Sequence, residues 1–323
     1  MNQLISINYN TELSKLHEIL TEYGVCIVNN VLNETECDNI TMGMFNTLSH
    51  VTSKLDKPFN YQDVTTWNTI NELQPTRNLI FQNWGLGQSQ FCWDVRTNDK
   101  VIDVFERIYN TKDLLVSIDG FSLSLPPEVT GDWEQNSWYH FDQNTSKPNF
   151  ECVQGWINGR DTNDGDSTLS VMLGSHRLHQ QYGNINKPET KKDWIQVNDL
   201  DFFTNNGCIE HKIIAPKGSL VLWDSRVLHY GAKPVVGREI INYRNVVYVC
   251  YTPRSLSTNK TLLRKIKNFE SRGERGFKRV TNHWPHRPVM FSEIPNIKSG
   301  IIPDILHMDD PIIEDKYKYL IGY

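Results

Sequence analysis

Asn136-Ser137-Trp138-Tyr139-His140-Phe141-Asp142-Gln143-Asn144 carries a His-x-Asp pair in a run that reads as an extended strand. Successive strand side chains point to opposite faces, so His140 and Asp142 lie side by side. A ring nitrogen and a carboxylate oxygen are thus offered on one face. Those are two of the three ligands of the 2-His-1-carboxylate facial triad, which holds non-haem Fe(II) and leaves coordination positions open. The third ligand has to come from a strand distant in sequence. His229, in Leu220-Val221-Leu222-Trp223-Asp224-Ser225-Arg226-Val227-Leu228-His229-Tyr230, is the candidate.

A His-x-Asp pair alone is a weak signal, and the chain holds a second, His307-Met308-Asp309. Context separates the two. His140 precedes about a hundred residues of strand-like sequence. His307 sits in a polar tail before Pro311 with no histidine after it, and a solvated turn accounts for it. Without further context a core histidine bonded to Asp142 is the favoured reading of His140, and the end of a strand at the surface accounts for His229.

Composition bounds the rest. The chain has 323 residues, 38% hydrophobic and 11% aromatic, enough for a sizeable core. A net charge of −5 gives no whole-molecule attraction to nucleic acid or an anionic membrane. No apolar run approaches the length of a transmembrane helix. Met1-Asn2-Gln3-Leu4-Ile5-Ser6 lacks the basic start and apolar core of a secretory signal. Six scattered cysteines form no C-x-x-C pair, which points to reduced thiols and a cytoplasmic protein.

The pattern changes along the chain. Residues 11–23 have helical spacing, with Gly24 as C-cap and Val25-Cys26-Ile27-Val28 a buried strand. Asn33 and Glu36 stand in capping-box positions for a helix to about Ser49. Residues 53–100 read as irregular structure packed on the core by Trp67, Phe81, Trp84, Phe91 and Trp93, or as one wall of a binding site, and Val101 to Ile108 as helix. Leu114 to Leu125 alternates like one strand. Further strands are expected at Glu151–Asn158, Thr168–Leu173, His211–Ala215, Gly218–Trp223, Arg226–His229 and Ile240–Tyr251. Many short strands separated by turns, without long crossover helices, suggest a sandwich or jelly roll of two antiparallel sheets. The fold class is therefore mainly β with flanking helices. One domain, 1–323, is expected: a helical and irregular N-terminal region over residues 1–113, a core at about 114–253, and a helical extension 254–323. Within that extension, the basic residues between 260 and 287 read as a solvated helix face or as a rim for an anionic substrate.

Four pieces, in order, resemble the phytanoyl-CoA dioxygenase-like family of Fe(II)/2-oxoglutarate-dependent oxygenases. They are Trp138-Tyr139-His140-Phe141-Asp142-Gln143; Leu173-Gly174-Ser175-His176-Arg177; Trp223 to His229; and Arg244-Asn245-Val246-Val247-Tyr248-Val249-Cys250-Tyr251-Thr252-Pro253. Tyr23 to Leu32 and Thr281-Asn282-His283-Trp284-Pro285 add to the likeness. The resemblance implies a double-stranded β-helix, a cupin-like jelly roll. It implies His140, Asp142 and His229 as iron ligands, with Fe(II), 2-oxoglutarate and O2 as cofactor and cosubstrates. It implies that a strand arginine after the distal histidine holds the far carboxylate of 2-oxoglutarate, where a guanidinium fork suits a carboxylate. Arg238 and Arg244 are the candidates. On a regular strand both would share one face, and Arg244 begins the stretch most like the family's. Gln154 and Trp156 follow on the next strand, where core packing accounts for Trp156 equally well.

The reaction so implied is hydroxylation of a small-molecule or acyl substrate with release of succinate and CO2. Asp142 keeps the carboxylate that related halogenases replace by Gly or Ala. Two rivals remain: a cupin-like metal site without oxygenase chemistry, and a binding module that lost catalysis. Neither the substrate nor the oligomeric state is written in the sequence. A nucleic-acid partner is not favoured.

Overall fold

The computed structural model describes residues 1–77, 79–131, 137–188, 192–276, 279–281, 284–291 and 303–323, with backbone alone considered at 272–276, 279–281 and 289–291. Asn136, His283 and the side chains of Arg272, Arg275, Lys278 and Arg279 lie outside the described residues.

The chain opens with β1 (Ser6–Asn8), which pairs in parallel with β2 (Val25–Asn29). Between them the expected helix is broken into Tyr9–Glu12, a 3-10 turn Leu13–Lys15 and a helix Leu16–Tyr23. Gly24 ends it in the left-handed region, φ 74°, which glycine adopts without steric cost. A Cβ there would meet His176 Nδ1 at 2.5 Å, so close packing also requires glycine. The next helix, Glu34–Val51, starts with the expected capping box. Asn33 accepts from the Glu36 amide, and Glu36 accepts from the Asn33 amide.

Residues 53–100 are more regular than their composition suggests. They form a 3-10 helix Val64–Leu73, the short β3 (Ile80–Phe81) and a helix Gln90–Arg96. Trp84, Phe91 and Trp93 are buried, as their apolar bulk requires. A helix Asp99–Tyr109 follows, with five apolar side chains on one buried face.

Leu114 to Leu125 is not one strand. It splits into β4 (Leu114–Val116) and β5 (Phe121–Ser124), which pair with different stretches of one long partner. The break has a local cause. Gly120 passes against the Phe81 carbonyl, where a Cβ would lie 1.9 Å from the oxygen. The Asp119 carboxylate accepts from the Gly120 amide and from Gln82, holding the bend.

The remaining strands are β6 (His140–Phe141), β7 (Val153–Asn158), β8 (Thr168–Leu173), β9 (Ile195–Gln196), β10 (Ile209–Lys212), β11 (Leu220–Asp224), β12 (His229–Ala232) and β13 (Arg244–Pro253). They form two sheets. The larger runs β1-β2-β11-β7-β13-β5-β3, with β4 also on β13; the smaller runs β10-β8-β12-β6-β9. Every pairing in them except β1 with β2 is antiparallel.

The strand period divides the larger sheet into two faces. Register sets Tyr248 opposite Trp156, Cys250 opposite Gln154, and Gln154 opposite Trp223. These, with Arg244, form the face toward the smaller sheet. The alternate residues face the helices: Tyr251 packs on Phe105 at 4.6 Å and Phe121 on Phe91 at 5.1 Å. Helices thus cover the outer face, and the architecture is mixed α and β rather than mainly β.

Two strand starts differ from expectation by three residues or more. The third of the late strands begins at His229, not Arg226, because Arg226 caps a turn by binding Asp224. The last begins at Arg244, not Ile240, because residues 237–243 form a loop tied by Arg238. All six cysteines are buried. Among the described residues no helix is long and apolar enough to cross a membrane.

Candidate metal centre between the two sheets

Alternation along residues 138–142 builds the site. Tyr139 and Phe141 point into a second apolar cluster. Phe141 packs on His179 at 4.9 Å and on Phe203 at 5.9 Å, and the Tyr139 hydroxyl bonds Ser170 and Glu210. His140 and Asp142 therefore face the space between the sheets. β12 supplies the third group: His229 stands opposite His140 in the ladder.

The three side chains are buried and converge, with ligand atoms all within 4.8 Å of one another. His140 Nε2 lies 3.4 Å from Asp142 Oδ1, and His229 Nε2 lies 3.4 Å from Asp142 Oδ2. Two donors each about 2.1 Å from one ion stand about 3.0–3.4 Å apart for angles near 90–110°. The other ring nitrogens are engaged elsewhere. His140 Nδ1 donates to the Trp138 carbonyl at 3.2 Å and His229 Nδ1 to the Val227 carbonyl at 2.9 Å. That assigns the Nδ1–H tautomer and leaves both Nε2 lone pairs for a cation. Burial, then the neighbouring His229, lowers the pKa of His140, with Asp142 opposing. The neutral imidazole that results is the ligating form.

The turn after Asp142 is held rigidly. Gln143 donates through Nε2 to the Lys147 and Asn149 carbonyls and accepts at Oε1 from Ser225 at 2.7 Å. His179 Nε2 bonds the Gln143 carbonyl at 2.8 Å. Arg226 grips Asp224 through Nε and Nη2 and reaches the Pro148 carbonyl. The segment bearing Asp142 and the turn before His229 are thereby tied together.

The two candidate arginines lie in different surroundings. Arg238 has its guanidinium bonded to Asp166, Glu128 and the carbonyls of Val235 and Asn242. It precedes β13, so the parity that would have put it on Arg244's face does not apply. Arg244 lines a cavity of about 470 Å³ with His140, Asp142 and His229. It stacks on Trp156 at 5.0 Å and donates to Ser122 at 3.1 Å.

Several buried polar atoms around this cavity have no hydrogen-bond partner. They include Arg244 Nε, both amide atoms of Gln154, and the indole nitrogens of Trp156 and Trp223. Orphaned buried donors cost about 1–3 kcal/mol each, so their clustering marks a place for a polar guest. From the sequence, Gln154 and Trp156 were expected to face the cofactor from the strand after Asp142, with core packing an equal account of Trp156. Trp223, Tyr248, Gln82 and Asp119 also line the cavity, and no sequence signal distinguished them from core residues.

A family model described as phytanoyl-CoA dioxygenase (PhyH) matches residues 20–235. The chain belongs to the PhyH family. Two curated relatives are similar to it, one of them named for that family. This PhyH-family chain is 28% identical over 239 residues to "Ava biosynthesis cluster protein O" of Aspergillus versicolor, covering 71% of this chain and 73% of that protein. It is 25% identical over 256 residues to a "Putative phytanoyl-CoA dioxygenase" of Dictyostelium discoideum, covering 66% and 69%. Its fold is similar to that of the GlcNAc-inducible gene 2 protein of Candida albicans, with a TM-score of 0.57 and 13% identity over 84% of this chain and 71% of that one.

The PhyH family works with Fe(II) and 2-oxoglutarate, and the residues present fit both. Two neutral imidazoles and a carboxylate are the donor set of a non-haem Fe(II) site. A buried guanidinium without a carboxylate partner among the described residues, beside orphaned amide and indole donors, suits a dicarboxylate.

Proposed function

We propose that this chain is an Fe(II)/2-oxoglutarate-dependent dioxygenase that hydroxylates a small molecule. The observation that carries the reading is one cavity lined by His140, Asp142, His229 and Arg244. In this reading the two sheets are the halves of a double-stranded β-helix, and the iron sits between them.

Each residue has a task. His140 Nε2, His229 Nε2 and one Asp142 oxygen would hold Fe(II). The carbonyls of Trp138 and Val227 fix both imidazoles as Nδ1–H tautomers. Arg244 takes the far carboxylate of 2-oxoglutarate by a charge-assisted pair of hydrogen bonds. Gln154 and Trp223 offer the remaining donors, and Trp156 holds the guanidinium plane. When bound, Fe(II) with 2-oxoglutarate and O2 supplies oxidation of an unactivated C–H bond, with succinate and CO2 as co-products. Apolar walls such as Leu79 and Leu169 keep bulk water from that space. Arg238 serves the loop before β13 and not the cosubstrate.

The test is succinate release from 2-oxoglutarate with Fe(II) and O2, in wild type and Asp142→Ala. Release in wild type that is lost in the variant supports the reading. Equal release in both contradicts the ligand assignment, and metal binding with no 2-oxoglutarate dependence favours a cupin-like non-oxygenase.

A further inference from the structure

Beyond the iron and 2-oxoglutarate groups, the cavity has a rim whose chemistry the reaction does not explain. Three side chains build it: Arg77, Trp138 and Trp194. We propose that this rim is a substrate subsite for a compact molecule joining an apolar ring system to an anionic group, with the indoles on the ring and Arg77 on the anion. The inference rests on the dioxygenase reading and gives it a substrate class.

Arg77 is placed with care. It sits at the tip of a reversal closed by Thr76 and Ile80, whose amides and carbonyls bond each other at 2.8 and 3.0 Å. Its φ is 55°, a conformation that non-glycine residues avoid and that persists only where surroundings impose it. The result is a guanidinium stacked over Trp138, 4.7 Å from the ring centroid. The described residues give Arg77 no carboxylate partner. The other cations near the rim differ: Lys147 is paired with Asp193, and Arg287 with Glu151 and Asp193. Of the two arginines that line the cavity, Arg244 is assigned to the cosubstrate. Arg77 is left for a second anion, at the end where a substrate enters.

The indoles set the apolar half. Trp138 lies parallel to His140, at 4.8 Å and 11°. Trp194 meets the same imidazole at 5.5 Å and 32°. A molecule touching either ring is therefore within one ring's thickness of a proposed iron ligand. Trp194 is 39% exposed, and leaving a large indole in water forgoes about 25 cal/mol per Å² that a guest would recover. The Trp138 indole N–H is buried without an acceptor, a further donor for a polar edge of the guest. The cavity of about 470 Å³ must hold 2-oxoglutarate as well. That leaves room for a few fused or linked rings, and a coenzyme A nucleotide would have to lie outside it.

The experiment uses the full chain loaded with Fe(II) and 2-oxoglutarate under anaerobic conditions. The visible charge-transfer band first reports that the cosubstrate is bound, so a missing band is a failure of the dioxygenase reading and not of the subsite. Quenching of tryptophan fluorescence then reports binding of matched probes: 2-naphthoate, 2-naphthamide, 2-naphthyl phosphate, decanoate and decanoyl-coenzyme A. Wild type is expected to bind an anionic naphthalene about fivefold or more tightly than the amide, the modest factor a half-exposed charge pair gives. A lead of the phosphate over the carboxylate, or the reverse, identifies which anion the rim takes. Arg77→Gln is expected to erase the preference for the anion while the 2-oxoglutarate titration of the band stays as in wild type. Trp194→Ala is expected to weaken naphthoate and naphthamide alike. The proposal is overturned if no naphthalene probe binds, if Arg77→Gln keeps the anion preference, or if decanoate or decanoyl-coenzyme A binds more tightly than the ring acids.

Discussion

His229 stands directly opposite His140 in the ladder between β12 and β6, with ring centroids 4.3 Å apart. Neighbouring strands set that spacing, so the ladder itself brings the two imidazoles together. Asp142 then closes the set from the turn beyond β6. Replacing Asp142 by Ala leaves two imidazoles and no anion. Fe(II) affinity, measured by equilibrium dialysis under argon, is expected to fall more than about a hundredfold, beyond the usual cost of losing a supporting group. The fold is expected to survive, because the carboxylate faces the cavity.

Gln143 is the knot behind that carboxylate. Its amide serves two carbonyls and the Ser225 hydroxyl while fully buried. Gln143→Ala strands all three partners. Chemical denaturation is expected to show a loss of about 2–4 kcal/mol, with weaker Fe(II) binding because Asp142 is no longer aimed. Unchanged metal affinity in a folded Gln143→Ala protein would contradict this positioning role.

Arg238 gives a contrasting signature. Its side chain pairs with Asp166, which is itself buried, and with Glu128. Arg238→Ala leaves Asp166 without that cation, a change that costs about 3–5 kcal/mol for buried pairs. The melting temperature is expected to drop while the KM for 2-oxoglutarate stays within about twofold. A large rise in that KM without loss of stability would reassign the cosubstrate arginine.

Lys265 carries a pH signature. It is fully buried in the helix Asn259–Gly276 and donates to the Val116 carbonyl. Burial, then the Arg96 charge, pushes its pKa down to about 7. The folded pKa lies below the unfolded value of about 10.4, so the unfolded chain binds more protons between them. Lys265 therefore contributes a stability that rises as pH goes from about 7 toward 10. Tyrosines and thiols of the unfolded chain titrate in the upper end of that range, so the comparison is with Lys265→Met. The stability of wild type relative to that variant is expected to increase across the window. A constant difference in urea melts at pH 7 and pH 9.5 would refute the assignment.

The convergence of His140 and Asp142 on one face was legible because chemistry and strand period coincide there. The helix from Glu34 was legible because Asn33 and Glu36 form a local signal. Arg238 was ambiguous because parity holds only along a strand, and the loop bonds that keep it off β13 come from Asp166 and Glu128, distant in sequence. The break at Ser117–Gly120 was hidden for the same reason, since it answers to the Phe81 carbonyl. Lys265 read as one member of a solvated basic face, yet its long stem lies in the core. Arg77 and Trp194 sit in polar stretches with no periodicity, and only the folded chain brings them to one rim.

The most direct test of the central claim is anaerobic titration of the Fe(II)-loaded protein with 2-oxoglutarate, followed by the visible metal-to-ligand charge-transfer band. The band is expected in wild type, absent in His229→Ala, and shifted to at least about tenfold higher 2-oxoglutarate in Arg244→Ala. Bound Fe(II) without a band in wild type, or Arg244→Ala titrating as wild type does, would contradict the account.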